Sequence, residues 1–302
     1  MSEPGRLTLI LNGKASGNAR VRDAIAAVRD AGHRLDVKMT EGPGDAERFA
    51  GETVRDCVEG DTIIAGGGDG TLNAVVRGAL EADSKPPCSF ALLPLGTAND
   101  FARNAGIPLD PLGALEVAIG TTARAIDVGL VDIDGDAPRW FVNMLTAGFG
   151  PRVTSEADPQ LKERLGGAAY LLSALGRIGE VTPWRGRVTG PDFSWTGSFA
   201  ALAAGNGRRA GGGVELCPLA LLDDGALDVT IIEAPDGDVL AGLISSLPMA
   251  VGLEPDSVIR ARAERFEIET DEPVPVSLDG ERLEARRVRL SMEPKAIRFH
   301  LP

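Results

Sequence analysis

The feature that most constrains this chain is the run Ala65-Gly66-Gly67-Gly68-Asp69-Gly70-Thr71. Asp61-Thr62-Ile63-Ile64 precedes it with the composition of a buried strand, and a helical pattern follows over residues 71–82. A strand that runs through consecutive glycines into a helix can turn sharply and let a ligand come close to the backbone. The first N–H groups and the positive dipole end of the helix then face that ligand, an arrangement suited to phosphate. Two common phosphate loops are excluded. No Gly-Lys-Ser/Thr follows, and Thr71 stands where G-x-G-x-x-G needs its last glycine. A plain strand-to-helix turn capped by Asp69 or Thr71 satisfies the same pattern.

A second turn of this kind is Leu93-Pro94-Leu95-Gly96-Thr97-Ala98-Asn99-Asp100-Phe101-Ala102. Strands predicted over 7–11, 34–40, 61–65 and 89–95 alternate with helices over 18–31, 45–58, 71–82 and 98–104. That alternation implies a parallel sheet with helices on both faces. Ligands of such sheets bind beyond the carboxyl ends of the strands. One nucleotide spanning both turns explains their co-occurrence better than two separate caps.

Near residues 121–127 the pattern changes. Short apolar runs at 126–133, 139–145, 184–189, 193–204, 226–233, 266–270, 274–278 and 286–291 are separated by turn signals such as Asp134-Gly135 and Asp279-Gly280. They predict an antiparallel β-sandwich, interrupted by helical stretches at about 160–178 and 238–250. The expected class is therefore α/β plus all-β. The nucleotide-binding domain is placed at 1–125, with the last residues, about 292–302, returning to it, and the sandwich at 126–291.

Composition narrows the chemistry. Lys+Arg total 31 against 44 Asp+Glu, a net charge of −13, and aromatics are 4% of the chain. A nucleic-acid binder needs a basic face or stacking platforms, so none is expected. The two histidines, His33 in an Ala-Gly-His turn and His300 near the end, are poor catalytic candidates, which leaves proton transfer to a carboxylate. Cys57, Cys88 and Cys217 have neither zinc nor disulfide spacing and read as buried hydrophobes in a reducing compartment. Without a signal-peptide pattern or a long apolar run, the expected location is cytoplasmic.

Two further stretches carry information. Gly205-Asn206-Gly207-Arg208-Arg209-Ala210-Gly211-Gly212-Gly213 runs on to Cys217-Pro218-Leu219-Ala220-Leu221-Leu222-Asp223-Asp224-Gly225, a glycine-rich loop whose arginines could meet a phosphate. Ser277-Leu278-Asp279-Gly280-Glu281 reads as a hairpin turn.

The Gly67–Thr71 turn is shared by NAD kinases, phosphofructokinases and diacylglycerol/sphingosine kinases, whereas Pro94-x-Gly96-Thr97-x-Asn99-Asp100-Phe101-Ala102 is similar to the lipid-kinase branch alone. Together with Leu11-Asn12-Gly13-Lys14, Asn143–Gly150, Gly205–Gly213, Pro218–Asp228 and Leu278-Asp279-Gly280-Glu281, the chain resembles the YegS-type bacterial lipid kinases over essentially its whole length. The resemblance implies a Rossmann-like N-terminal domain, a β-sandwich C-terminal domain, and an ATP-dependent kinase acting on a hydroxyl of a membrane lipid, phosphatidylglycerol or diacylglycerol, through transient peripheral contact with the membrane. Thr40, Gly68, Asp69, Gly70, Thr71, Leu72, Asn73, Ala74 and Thr97 match the family's ATP-binding positions. Glu281 matches its catalytic base. Leu221, Asp224 and Ala226 match a structural Mg²⁺ site, with Ca²⁺ as the alternative ion. Ala74 departs from the acidic residue often found there, and Asn12-Gly13 stands where much of the wider family has Asn-Pro.

Phosphoryl transfer depends on positioning and charge neutralisation. Asp69 is therefore read as a metal-organising catalytic carboxylate at a surface turn, with Asp100 or Asp127 as further ligands, direct or through water. The apolar stretches 165–175 and 239–251 are membrane-docking candidates, although packing against the sandwich is the favoured reading of them. Two other readings stay open on the residues: a soluble kinase of NAD-kinase type, and a non-catalytic nucleotide sensor.

Overall fold

The computed structural model describes residues 5–148, 183–234 and 258–302. The helical stretches expected at 160–178 and 238–250, and the docking candidates 165–175 and 239–251, lie outside the described residues. The chain divides into two compact units, one made of Met1–Val128 with Glu293–Pro302, the other of Gly129–Met292.

In the first unit, β1 (Leu7–Asn12), α1 (Ala19–Asp30), β2 (Leu35–Thr40), α2 (Asp45–Asp56), β3 (Thr62–Gly67), α3 (Asp69–Ala82), β4 (Ser89–Pro94), α4 (Asp100–Ala105) and α5 (Pro111–Gly120) follow one another, and β5 (Arg124–Ile133) leads out. The strands pair in parallel in the order β4-β3-β1-β2. The end of the chain's last strand adds itself to β4, also in parallel, with Arg298 beside Ser89 and Phe299 beside Phe90. β1, β3 and β4 are buried almost throughout, as strands covered on both faces must be. The connection from β1 to β2 runs one way along the sheet and the two that follow run the other. Right-handed crossovers therefore put α1 on one face and α2 and α3 on the opposite one. The packing agrees: α2 lies on α3, and α1 on α5.

The helix α5 has no counterpart in the sequence reading. Pro111-Leu-Gly-Ala-Leu-Glu-Val-Ala-Ile-Gly is apolar nearly all round, so it shows no polar face. Its readable signal was the start, where the Asp110 carboxylate caps the helix by accepting from Gly113 N, with Pro111 in the first turn.

The second unit contains β6 (Arg139–Phe141), β7 (Met144–Gly148), β8 (Trp184–Gly190), β9 (Phe193–Gly205), a small hairpin β10 (Arg209–Ala210) and β11 (Val214–Glu215), β12 (Leu227–Glu233), β13 (Val258–Ala263), β14 (Arg265–Leu278) and the first part of β15 (Glu281–Phe299), whose residues from Glu293 on belong to the first unit. The early halves of β9 and β14 hold β8 between them and their late halves hold β7, all antiparallel. Two long strands that serve both layers give the expected sandwich a closed circuit of pairing. The runs 266–270 and 274–278 are one strand, β14, with a register break between Glu269 and Val274. β13 has no strong signal in the sequence. Alternating Val-Ile-Arg-Ala-Arg-Ala is a weak strand pattern that pairing with β12 completes. Phe141, Phe199, Leu227, Ile231 and Val276 form the fully buried centre.

Candidate functional site

Four turns meet at the carboxyl edge of the parallel sheet, after β1, β2, β3 and β4. β1 and β3 are the neighbours from which the chain departs to opposite faces, and in open α/β sheets that point is where ligands bind. The Asn12 side chain accepts from Lys14 N at 3.1 Å and donates to Thr71 Oγ1 at 3.3 Å. Thr40 Oγ1 accepts from Gly13 N at 3.2 Å. Side chains thus fasten the ends of β1 and β2 and the start of α3 to one another.

The two glycine turns lie against each other. A Cβ on Gly96 would stand 2.5 Å from the Gly68 Cα, and one on Gly68 would stand 3.0 Å from the Gly96 Cα. Leu95 N donates to Gly67 O at 2.8 Å. Asp69 completes the joint: its carboxylate accepts from Asp100 N at 3.1 Å and Phe101 N at 2.9 Å, capping α4 from the first residue of α3. Asp69 is therefore a half-buried tie between both turns, not a residue of a free surface turn. Asn99 holds the second turn in shape. It adopts the left-handed conformation, φ 50°, and its amide both accepts from Gly96 N and donates to Gly96 O at 2.8 Å.

Gly70 differs from its neighbours. It is exposed, and nothing lies within 4 Å of the place a Cβ would occupy. It leaves open space at the N-terminus of α3, and Thr97 on the second glycine turn is exposed as well. Leu72 N–H and Thr71 N–H both donate to Gly68 O, at 3.1 and 3.0 Å, and the Leu72 side chain is in the core. The leading amides of the helix are thus those of Asp69 and Gly70. Asn73 is buried and Ala74 half-buried on the same helix.

Asp100 is buried beside this joint, 4% exposed. Asp127 is fully buried on β5 and accepts from Lys295 N at 2.7 Å, where Lys295 is in the left-handed conformation, φ 55°. Among the described residues no three His, Cys, Asp or Glu side chains cluster as a metal site. Each Asp69 oxygen keeps a second lone pair. That suits Mg²⁺, which takes one or two carboxylates and otherwise phosphate oxygens and water.

In the second unit the motif residues converge on a single node. Asp279 and Gly280 have φ 46° and 92°, the pair of positive values that a two-residue I′ hairpin requires. The Asp279 carboxylate accepts from Val142 N at 2.7 Å, Asn143 N at 3.1 Å and Met144 N at 2.8 Å. Asn143 O accepts from Asn206 N and Gly207 N at 2.9 Å, and its side chain donates to Arg209 O at 2.8 Å. Asn206 Nδ2 returns a bond to Val142 O at 3.0 Å. Glu281 begins β15, exposed, and pairs with Arg139 at 3.2 Å. Sequence reasoning found the Asp-Gly turn and missed what its carboxylate holds, because the three donors are backbone groups more than a hundred residues away.

Other expected residues are arranged differently. Arg208 Nε donates to Ala220 O at 3.0 Å and Arg209 pairs with Glu215 at 3.5 Å, so both shape their loop. Asp224 Oδ1 accepts from Ala226 N at 3.1 Å, and its other oxygen pairs with Arg262. The Arg262 guanidinium thus pairs with the one carboxylate of the expected Leu221, Asp224 and Ala226 metal site. The neighbouring Asp228 carboxyl is raised by burial to about 6, against the pull of Arg208 and Arg260. The three cysteines are free, buried thiols, and burial pushes Cys217 up to about 12, which makes it inert. His300 lies at the amino edge of the sheet, opposite the glycine turns. It bonds Ser89 Oγ at 2.9 Å and Thr121 O at 3.0 Å, and burial lowers its pKa. Among the described residues no helix is long and apolar enough to cross a membrane.

Comparison with known proteins covers the whole chain. Residues 6–131 match the diacylglycerol kinase catalytic domain, and residues 143–301 match the YegS C-terminal NAD kinase beta sandwich-like domain. A protein of Pseudomonas aeruginosa (strain UCBPP-PA14) named probable lipid kinase YegS-like is 48% identical over 297 residues, covering 98% of this chain and 94% of that protein. One of the same name from Xanthomonas oryzae pv. oryzae (strain MAFF 311018) is 45% identical over 303 residues, covering 99% and 97%. A crystal structure of a diacylglycerol kinase from Bacillus anthracis str. Sterne superposes with a TM-score of 0.79 at 21% identity, covering 100% of this chain and 99% of that one, which shows a shared fold.

Proposed function

Since the chain belongs to the YegS-like lipid kinase family, with its diacylglycerol kinase catalytic domain and its sandwich domain both present, we propose that it transfers the γ-phosphoryl group of ATP to a hydroxyl of a glycerolipid, phosphatidylglycerol or diacylglycerol. ATP supplies the phosphoryl group, and a divalent metal, which we take to be Mg²⁺, neutralises its charge. The observation that carries the reading is the joint at the switch point: two glycine turns in backbone contact, tied by Asp69, with open space beside Gly70.

In this reading the leading amides of α3 and the Thr97 hydroxyl hold the phosphates, and the Asn12–Thr71 and Thr40–Gly13 bonds keep the rim in place. Asp69 orients the metal–phosphate group while capping α4. Glu281 takes the proton of the lipid hydroxyl as its oxygen forms the new bond to phosphorus and ADP leaves. Phosphoryl transfer asks for little more than this positioning. The acceptor lies in a bilayer, and a chain of net charge −13 is repelled overall by anionic lipid, so docking is local and transient.

The test is incubation with γ-labelled ATP, Mg²⁺ and vesicles of phosphatidylglycerol, diacylglycerol or phosphatidylethanolamine, with NAD as a soluble acceptor. Label is expected in one of the first two lipids. Label in NAD alone would move the protein to the soluble kinases, and no transfer to any acceptor despite ATP binding would favour a sensor.

A further inference from the structure

We propose that Asp279 is a positioning residue for the reaction: its carboxylate, gripped by the backbone amides of residues 142–144, fixes the turn that carries Glu281 and so sets where the base stands. This rests on the reading of Glu281 as the base and adds what holds it there.

The geometry is specific. A loop carboxylate turned to water accepts few protein hydrogen bonds, whereas this one accepts from three consecutive N–H groups, those of Val142, Asn143 and Met144, at 2.7, 3.1 and 2.8 Å. Bonds to a charged acceptor are the strong ones. The acceptor is also held at both ends. Asp279 N donates to Met144 O at 3.0 Å, and Leu278 is in register with Leu145 on β7. Backbone conformation adds a second constraint. Asp279 sits at φ 46°, a state that Asp and Asn tolerate better than other non-glycine residues, and Gly280 at φ 92° is open to glycine almost alone. Glu281 follows immediately as the first residue of β15.

The same segment reaches Glu281 directly. Arg139, on the strand that leads into residues 142–144, pairs with its carboxylate at 3.2 Å. Both partners of that pair are well exposed, so the pair alone orients Glu281 weakly. The less exposed Asp279 grip is the stronger restraint. It is braced in turn by Asn206 and Gly207, which donate to Asn143 O. One peptide segment therefore joins the glycine-rich loop, the Asp-Gly turn and the base.

The test is a double-mutant cycle on the full chain with Asp279→Asn and Glu281→Gln. Asn tolerates the left-handed turn, so the substitution removes the charge and one acceptor with little backbone strain. It turns an amide NH₂ toward N–H donors. Asp279→Asn is expected to lower kcat by about 10²-fold, the scale of an ångström's misplacement, with KM for ATP unchanged. Asp279→Gly, which frees φ and removes the carboxylate, should behave alike. In the Glu281→Gln background Asp279→Asn should cost almost nothing further, because there is no base left to misplace. Full multiplication of the two losses, or a wild-type kcat in Asp279→Asn, overturns the positioning role while leaving Glu281 as the base. A wild-type rate in Glu281→Gln alone overturns the base assignment itself. If Asp279→Asn fails to fold, the cycle is run with Gly280→Ala, whose Cβ meets nothing within 4 Å but strains the turn at φ 92°, with the same non-additivity expected.

Discussion

At the scale of single residues, side chains here do two things at once. Asp69 was read as a metal-organising carboxylate, and it also caps a helix it does not belong to. Asp69→Ala should therefore abolish turnover and also cost about 1–2 kcal/mol, as loss of a helix cap does, a fall of a few degrees in calorimetry. Asp69→Asn keeps one acceptor and should recover most of the stability without recovering turnover. A melt unchanged in Asp69→Ala would show that the cap carries no weight. His300 allows a prediction in pH. Burial lowers its folded pKa below the ordinary value of 6.5, so below that pH the unfolded chain binds the proton more readily than the folded one. Stability must then fall as pH drops from about 6.5 toward the folded value. His300→Gln should flatten that part of the melting-temperature profile relative to wild type, and parallel profiles would refute it.

At the scale of elements, the glycines of the two turns separate into two kinds. Gly68 and Gly96 are needed because backbone meets backbone, whereas Gly70 faces open space. Gly96→Ala forces the turns apart and should cost about 1–3 kcal/mol, the scale of overpacking, together with nucleotide affinity. Gly70→Ala should leave the melt unchanged or raise it by up to about 1 kcal/mol, since alanine suits a helix better. It should still weaken ATP binding in titration calorimetry, because the new methyl group enters the phosphate space. Equal affinity in Gly70→Ala and wild type would remove the phosphate from this turn. The same contrast explains what the sequence could disclose. Strand, glycine and helix patterns are local, so the parallel sheet and both turns were legible around Gly66–Thr71 and Leu93–Ala102. Which glycine meets backbone and which meets open space depends on a neighbour about thirty residues away. Likewise the apolar α5 lacked a polar face to betray it, and Asp224 showed its carboxylate but not the Arg262 that answers it.

At the scale of the whole molecule, the first unit is assembled from two distant pieces of chain. Phe299 is fully buried against Phe101, ring centroids 5.2 Å apart, and β4 takes its outer partner from residues 298–299. Phe299→Ala should cost about 3–5 kcal/mol. All three tryptophans, Trp140, Trp184 and Trp195, belong to the second unit. The far-UV circular dichroism transition should therefore shift to lower temperature while tryptophan fluorescence shifts less, and coincident shifts would mean that the units melt as one. A ribosome building this chain makes β4 early and its outer partner only after the entire second unit has been made. During synthesis the apolar edge around Phe90 and Phe101 waits unpaired, exposed to whatever chaperones or other nascent chains it meets. A chain cut just before residue 298 would keep every strand of the sandwich and lack the outer partner of β4. In this architecture the nucleotide-binding unit cannot finish folding until the sandwich has already been made.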